Sequence, residues 1–414
     1  MPTIRALHFA DVHFGVENYG RFDPETGMNS RIVDFRRALM AAIELAIENG
    51  VEIALFAGDA YKTRDPSQTH QREFASCVSL LTSLGIPVVM LAGNHDIPNT
   101  RGRANAIEIF GALSANRIHV IDVPDVRVIE TSKGTPLQIA GMPYLIKSLI
   151  LARDEYKDKG VQDTTALVVE RYVEGIDRLA KRCDQSLPTV LMGHFTVGNA
   201  RLSANQVGYL TNEPEVPLST LTQPPFDYVA LGHIHRFQDL NKGEQPPVVY
   251  SGSIERIDFG EKNEDKGVCI VDIAKGDTQV KHVVVPTRPF VEIEVDVTEA
   301  GEEPTQPLLE AIRKQSVKDA VVKMAYRIKS EQLPHLKEPE VRGALHDAFM
   351  IVALHKGVVR DTDAVRSKLL TESLDPLQAL ATYCETRDTL RHRKDELLAY
   401  AEPLMKELEA EESV

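Results

Sequence analysis

Seven side chains able to donate oxygen or nitrogen to a cation stand in five short polar patches, each placed directly after an apolar run. They are Asp11 and His13 in ADVH, Asp59 in GDA, Asn94 in GNHD, His194 in GHF, and His233 with His235 in GHIH. One such residue at the end of a strand is ordinarily a cap or a turn residue. Five patches in this order form a set. Imidazole, carboxylate and amide oxygen without thiolate suit borderline divalent ions such as Mn, Fe or Zn. Seven donors are too many for one ion and suit two, with a carboxylate such as Asp59 able to bridge them. A metal pair roughly 4 Å apart clamps the attacking and leaving oxygens of a phosphoryl displacement and lowers the pKa of a bridging water. His95, next to Asn94, is then spare. It can protonate the leaving oxygen, with Asp96 expected to hold its ring. In GHIH the two imidazoles are separated by one residue, and in an extended strand such a pair shares a face. That spacing alone leaves open whether they bind one ion or two.

The elements that must carry these patches follow from hydrophobic patterning. TIRALHFADVH predicts a buried strand with a polar end. NSRIVDFRRALMAAIELAIENG predicts an amphipathic helix, capped by Asn29 or Ser30 and ended by Gly50. EIALFAGDA predicts a second strand, SQTHQREFASCVSLLTSLG a second helix closed by Gly85, and PVVMLAGNHD a third strand. That alternation is the rhythm of parallel βαβ units. TVLMGHF and DYVALGHIH repeat the apolar strand tipped by Gly-His. In open α/β sheets, loops at the carboxyl ends of strands converge on functional sites. Of the 13 histidines, His8, His119 and His282 fall within predicted strands and read as structural. His70, His335, His346, His355 and His392 read as helix or surface residues.

After residue 285 the character changes. RPFVEIEVDV, EEPTQPLLEAIRKQS and AVVKMAYRIKS predict strand, loop into helix, and strand: a small α/β module. EPEVRGALHDAF predicts helix and MIVALHKGVV a strand. The remainder is helical, with Leu390, Leu397, Ala401, Leu404 and Leu408 spaced alternately by three and four around one heptad-like stripe, apart from the first step. Pro403 predicts a kink or a fresh helix start within it.

Length and composition (414 residues, 43% hydrophobic, 26% charged) suit a globular chain of two or three domains. Four widely spaced cysteines with no C-x-x-C pair argue against a disulfide framework and read as buried small apolar residues. The opening MPTIRALHFADVH has neither the charged nor the apolar region of a secretory signal, and no run is long enough to span a bilayer, so a cytoplasmic location is expected. The net charge of −14 weighs against a nucleic-acid binder. Local basic stretches, 61–72 and 101–103, and the positive charge of bound metals weigh the other way.

The motifs resemble those of the calcineurin-like metallophosphoesterase superfamily and, within it, the SbcD family of bacterial DNA-repair nucleases, over nearly the whole chain. The resemblance implies a metallophosphoesterase β-sandwich core flanked by helices (1–285), a small α/β capping domain that selects DNA (286–360), and a linker with C-terminal helices that bind an SbcC-type ATPase (361–414). It divides the ligands: Asp11, His13, Asp59 and His235 around one metal, and Asp59, Asn94, His194 and His233 around the other. It makes His95 catalytic, the metal manganese, and the activity 3′–5′ exonuclease with single-strand endonuclease. It also implies a homodimer, with helices around 67–84 or 104–113 as its interface. After GD this chain reads AYK, placing Lys62 where related nucleases often carry Asp or His, and its 14–29 loop is longer than is typical. The acid–arginine pattern of the phosphatase branch, G-D-x-x-D-R-G, is absent. Lys62, Arg64, Arg101, Arg103 and Arg236 are the candidate phosphate contacts, and Leu390, Leu397, Leu404 and Leu408 the candidate docking stripe for the ATPase. The competing readings are a small-molecule phosphodiesterase or nucleotidase and a mainly architectural DNA-tethering protein.

Overall fold

The computed structural model describes residues 3–25, 27–100, 102–113, 117–147, 150, 161–210, 213–359, 376–385 and 388–411. The chain divides into two units. The larger comprises Met1–Glu292, Ser316–Lys323 and Asp347–Val352.

Two six-stranded sheets build the larger unit. The first contains β1 (Ile4–Phe9), β2 (Ile53–Phe56), β3 (Val88–Leu91) and β4 (Ile118–Ile121) in parallel. β11 (Gly267–Ile273) pairs antiparallel with β1, and β12 (Gln279–Val284) pairs antiparallel with β11. The second sheet runs β9 (Gln238–Asp239), β10 (Val248–Tyr250), β8 (Tyr228–Gly232), β7 (Thr189–His194), β6 (Pro136–Met142), β5 (Asp125–Glu130). Its middle four strands are parallel and both edge strands antiparallel.

Burial follows the two-residue period of the strands. Ala6, Ile53, Leu55, Val89 and Leu91 of the first sheet form one apolar cluster with Ile139, Val190, Met192, Tyr228 and Ala230 of the second. That cluster is the filling of a sandwich. Leu7, Phe9, Ala54 and Phe56 instead pack with Phe35 and Leu39 of α1 (Ser30–Glu48) and Phe74 and Leu81 of α2 (Gln68–Ser83). Leu191, Val229 and Leu231 pack with Tyr172, Ile176 and Leu179 of α3 (Val161–Arg182). The expected β-sandwich flanked by helices is therefore present. The sequence pattern by itself suggested one run of βαβ units. Two sheets exist because the strands are apolar on both sides, one side for each kind of layer. Asn29 caps α1, its side chain accepting from the Arg31 amide, and Ser67 caps α2. All four cysteines are free and buried.

The smaller unit comprises Ile293–Gln315, Met324–His346 and Ala353–Val414. A three-stranded sheet is ordered β13 (Phe290–Asp296), β14 (Val321–Lys329), β15 (Met350–Val359). Helices α4 (Thr305–Arg313) and α5 (Glu338–Ala344) pack together, α4 burying Leu308, Leu309 and Ile312. At the C-terminus α6 (Pro376–Glu385) packs against α7 (Lys394–Glu411). The start of the expected C-terminal segment, 361–375, lies outside the described residues.

Of the kink or fresh start expected at Pro403, the fresh start is absent: α7 runs through it. The leucine stripe is not carried by one helix: Leu390 sits in a separate turn, Asp388–Arg391, ahead of α7. Leu404 is 57% exposed. No described helix is long and apolar enough to cross a membrane.

Candidate metal centre

The five patches leave the carboxyl ends of β1, β2 and β3 in one sheet and of β7 and β8 in the other. The central strands of both sheets thus end at one place. Here the backbone abandons ordinary conformations. Asp11, His13, Asp59 and His233 account for four of the eight non-glycine residues with positive φ among the described residues. Such strain costs about 1–3 kcal/mol each and collects at functional sites. Glycine is obligatory at two neighbouring positions. A Cβ on Gly93 would collide with Asp59 Oδ1 and its amide, and one on Gly232 with the Ala57 carbonyl.

Donor atoms gather in two groups. In the first, His13 Nε2 lies 3.1 Å from His235 Nε2, 3.7 Å from Asp59 Oδ2 and 4.0 Å from Asp11 Oδ1. In the second, Asn94 Oδ1 lies 3.0 Å from His194 Nε2 and 3.0 Å from His233 Nδ1, and His194 Nε2 lies 3.4 Å from Asp59 Oδ2. Asp59 Oδ2 therefore faces both groups, while its Oδ1 accepts the His95 amide at 2.8 Å. Asp11, His13, Asp59, His194 and His233 are all buried.

The other ring nitrogens fix which nitrogen carries the proton. His194 Nδ1 donates to the Ala57 carbonyl at 2.7 Å, His233 Nε2 to Glu213 at 2.6 Å and His235 Nδ1 to Glu261 at 2.8 Å. With Nε2 of His233 committed to Glu213, its bare Nδ1 faces Asn94 Oδ1 at 3.0 Å, acceptor to acceptor, an arrangement that calls for a cation between them. In the metal-free chain protons supply part of the positive charge. His194 is raised to about 9: burial alone would lower it, but Asp59 close by outweighs burial. Burial would raise Asp59, yet the positive charges of His194 and His95 hold it well below the usual carboxylate range. His13 is pushed well down by burial. The nitrogen and oxygen donors fit divalent ions, and no thiolate is among them.

His95 stands beside the first group. Its ring centroid is 5.0 Å from that of His13, and its Nδ1 donates to the Lys62 carbonyl at 2.6 Å. The expectation that Asp96 holds this ring is corrected. The Asp96 carboxylate is fully buried and accepts three backbone amides instead: Gly93 at 2.9 Å, Asp59 at 2.9 Å and Ala60 at 3.0 Å. Burial first, and the Asp59 charge second, raise its pKa to about 7. It is the clip under the loops of β2 and β3. A residue following GNH reads naturally as the ring's partner, and only the turn after His95 directs it inward.

Sequence reasoning also missed Glu213, Glu261 and Gln206. Gln206 bridges GHIH, donating to the His233 carbonyl at 2.8 Å and accepting the His235 amide at 3.0 Å. Gln206 and Glu213 sit in loops and Glu261 in a single 3-10 turn, Phe259–Glu261, and none carries a spacing signal. Of the basic candidates, Arg64 is turned onto the Ile97 carbonyl at 2.7 Å and Arg103 pairs with Asp65. Lys62 and Arg236 are exposed, and Arg101 lies outside the described residues.

Residues 4–237 match the calcineurin-like phosphoesterase family. The chain is 26% identical over 298 residues to the DNA double-strand break repair protein Mre11 of Thermoplasma acidophilum, covering 70% of this chain and 68% of that protein. It is 28% identical over 303 residues to the SbcD component of the nuclease SbcCD of Escherichia coli K12 (71% and 72%). It is 24% identical over 307 residues to the same component in Staphylococcus epidermidis (70% and 72%).

Proposed function

Because the chain belongs to the calcineurin-like phosphoesterase family, we propose that it is a two-metal phosphodiester hydrolase acting on DNA, a nuclease of the SbcD type. The observation that carries this is the pair of donor groups sharing Asp59 Oδ2, with His95 at their margin. Asp11, His13, Asp59 and His235 would hold one ion, and Asp59, Asn94, His194 and His233 the other; manganese is the ion proposed. When bound, the ions supply Lewis acidity and activate water for attack on a phosphorus. The chain's own groups do the rest. His95 donates its Nδ1–H to the Lys62 carbonyl; with a second proton on Nε2 the ring is an imidazolium that gives that proton to the departing 3′- or 5′-oxygen and is left neutral. Asp96 holds the turns that aim Asp59 and Asn94.

Likeness to SbcD from two bacteria and to Mre11 supports DNA as the substrate and double-strand-break repair as the setting; hairpin processing is part of the same proposal. Exonuclease action 3′–5′, single-strand endonuclease action, an SbcC-type ATPase bound by the α6–α7 helices, a homodimer within a heterotetramer, and a capping role for the second unit belong to the same proposal. A location at the nucleoid in the cytoplasm follows from it.

The test is manganese-dependent cleavage of end-labelled linear duplex and hairpin DNA against a generic phosphodiester. Wild type cleaves DNA in preference; His95→Asn binds both metals and cleaves neither. Turnover of the small ester alone would make the chain a small-molecule phosphodiesterase instead.

A further inference from the structure

GHIH presents two imidazoles whose metal-facing nitrogens differ: Nδ1 in His233 and Nε2 in His235. Each choice is made by a carboxylate from another part of the chain. Glu261 accepts a hydrogen bond from His235 Nδ1–H at 2.8 Å, and Glu213 one from His233 Nε2–H at 2.6 Å. The positive φ of His233 turns its ring away from the position an ordinary strand would give it.

The two carboxylates are not equivalent. Glu261 is fully buried and paired with Lys266 Nζ at 2.8 Å, a cation it shares with Glu264, also at 2.8 Å. It also accepts the Ile257 amide at 3.0 Å and the Asn205 side chain at 2.9 Å. Glu213 keeps 20% of its side-chain surface exposed, and its further partners are the hydroxyls of Thr196 at 3.1 Å and Tyr144 at 3.3 Å. Among the described residues its one ion-pair partner is the His233 ring. The donor groups differ in the opposite sense. The first has two carboxylates, Asp11 and Asp59, and the second only Asp59, shared, beside the neutral amide of Asn94. A carboxylate hydrogen-bonded to a ligating imidazole raises its basicity and locks its orientation, and losing such a partner typically costs 10–100-fold in metal affinity.

On the two-metal reading, we propose that Glu213 and Glu261 divide the GHIH pair between the ions by fixing opposite tautomers, and that Glu213, uncompensated by any cation among the described residues, supplies the negative charge that the second site's own ligands lack. Glu213 is thus a positioning residue for the charge-poor site.

Metal-free protein with 15N-labelled histidine reports the tautomers directly. Long-range 1H–15N spectra should show His233 protonated at Nε2 and His235 at Nδ1; the same tautomer in both rings overturns the division. Equilibrium dialysis with Mn2+ tests the charge. Wild type binds two ions per chain. Glu213→Gln, which keeps an acceptor and loses the charge, should weaken one site at least tenfold and leave the other unchanged. Thr196→Val, which removes one of the hydroxyls orienting Glu213, should weaken the same site by a smaller factor. Wild-type affinities in both variants, with metal-free melting unaltered, overturn the role of Glu213. Wild type binding fewer than two ions would instead overturn the two-metal reading, while the spectra still decide the tautomers.

Discussion

Asp96→Asn separates two accounts of one residue. Asp96 Oδ2 accepts the Asp59 and Gly93 amides and Oδ1 that of Ala60. Asparagine offers one acceptor and one NH2. The two amides on Oδ2 can be kept, but the Ala60 N–H then faces another donor. One hydrogen bond to a charged group, about 1.5–3 kcal/mol, is lost and one buried donor is left unpaired. Against this stands relief: burial and the Asp59 charge disfavour the ionised carboxylate and raise its pKa to about 7 in the metal-free chain. The proton stays on in the folded state well above 3.8, so this group's contribution to stability falls as pH rises from about 4 to about 7. The two effects oppose each other, and the variant should lose no more than about 3 kcal/mol of global stability. The local consequence is larger. The clip holds Asp59 at φ 61°, a conformation that costs about 1–3 kcal/mol. Once the turn is free to relax, metal must impose it again, and apparent affinity drops about 5–150-fold. Mn2+ calorimetry beside urea unfolding reads both quantities. Unchanged metal affinity with loss of cleavage alone would refute the clip and return Asp96 to the His95 ring.

Other outcomes follow from the same geometry. His8, buried on β1 and bonded to the Tyr228 hydroxyl at 2.8 Å, is lowered by burial to about 3, so the unfolded chain binds its proton first. Stability should therefore fall as pH drops below 6.5, by about 2 kcal/mol at pH 5. Unfolding of His8→Asn at pH 5 and 7.5 should show a correspondingly shallower dependence, and an identical one would sink the assignment. Gly232→Ala drives a methyl into the Ala57 carbonyl and against His194, so bound metal should fall below two ions per chain by elemental analysis. DNA affinity should decline steeply with salt, and a flat response would remove Lys62, Arg64, Arg103 and Arg236 as phosphate contacts.

The chemistry could be read from the chain alone. Donor type and a place at the end of an apolar run are local properties, so Asp11, His13, Asp59, Asn94, His194, His233 and His235 were all legible, as were β1 to β3 and the helices between them. Long-range packing settled the rest. Whether five parallel strands make one sheet or two depends on which face of each meets a helix, and an apolar run buried on both faces has no alternation to reveal it. The ring nitrogen presented by each histidine depends on its partner across the fold, Ala57, Glu213 or Glu261, at sequence distances of 137, 20 and 26 residues. Asp96 shows the limit most clearly. Its neighbour in sequence is His95, but a single turn buries its carboxylate under Gly93, Asp59 and Ala60, because three inward-pointing amides required an acceptor there.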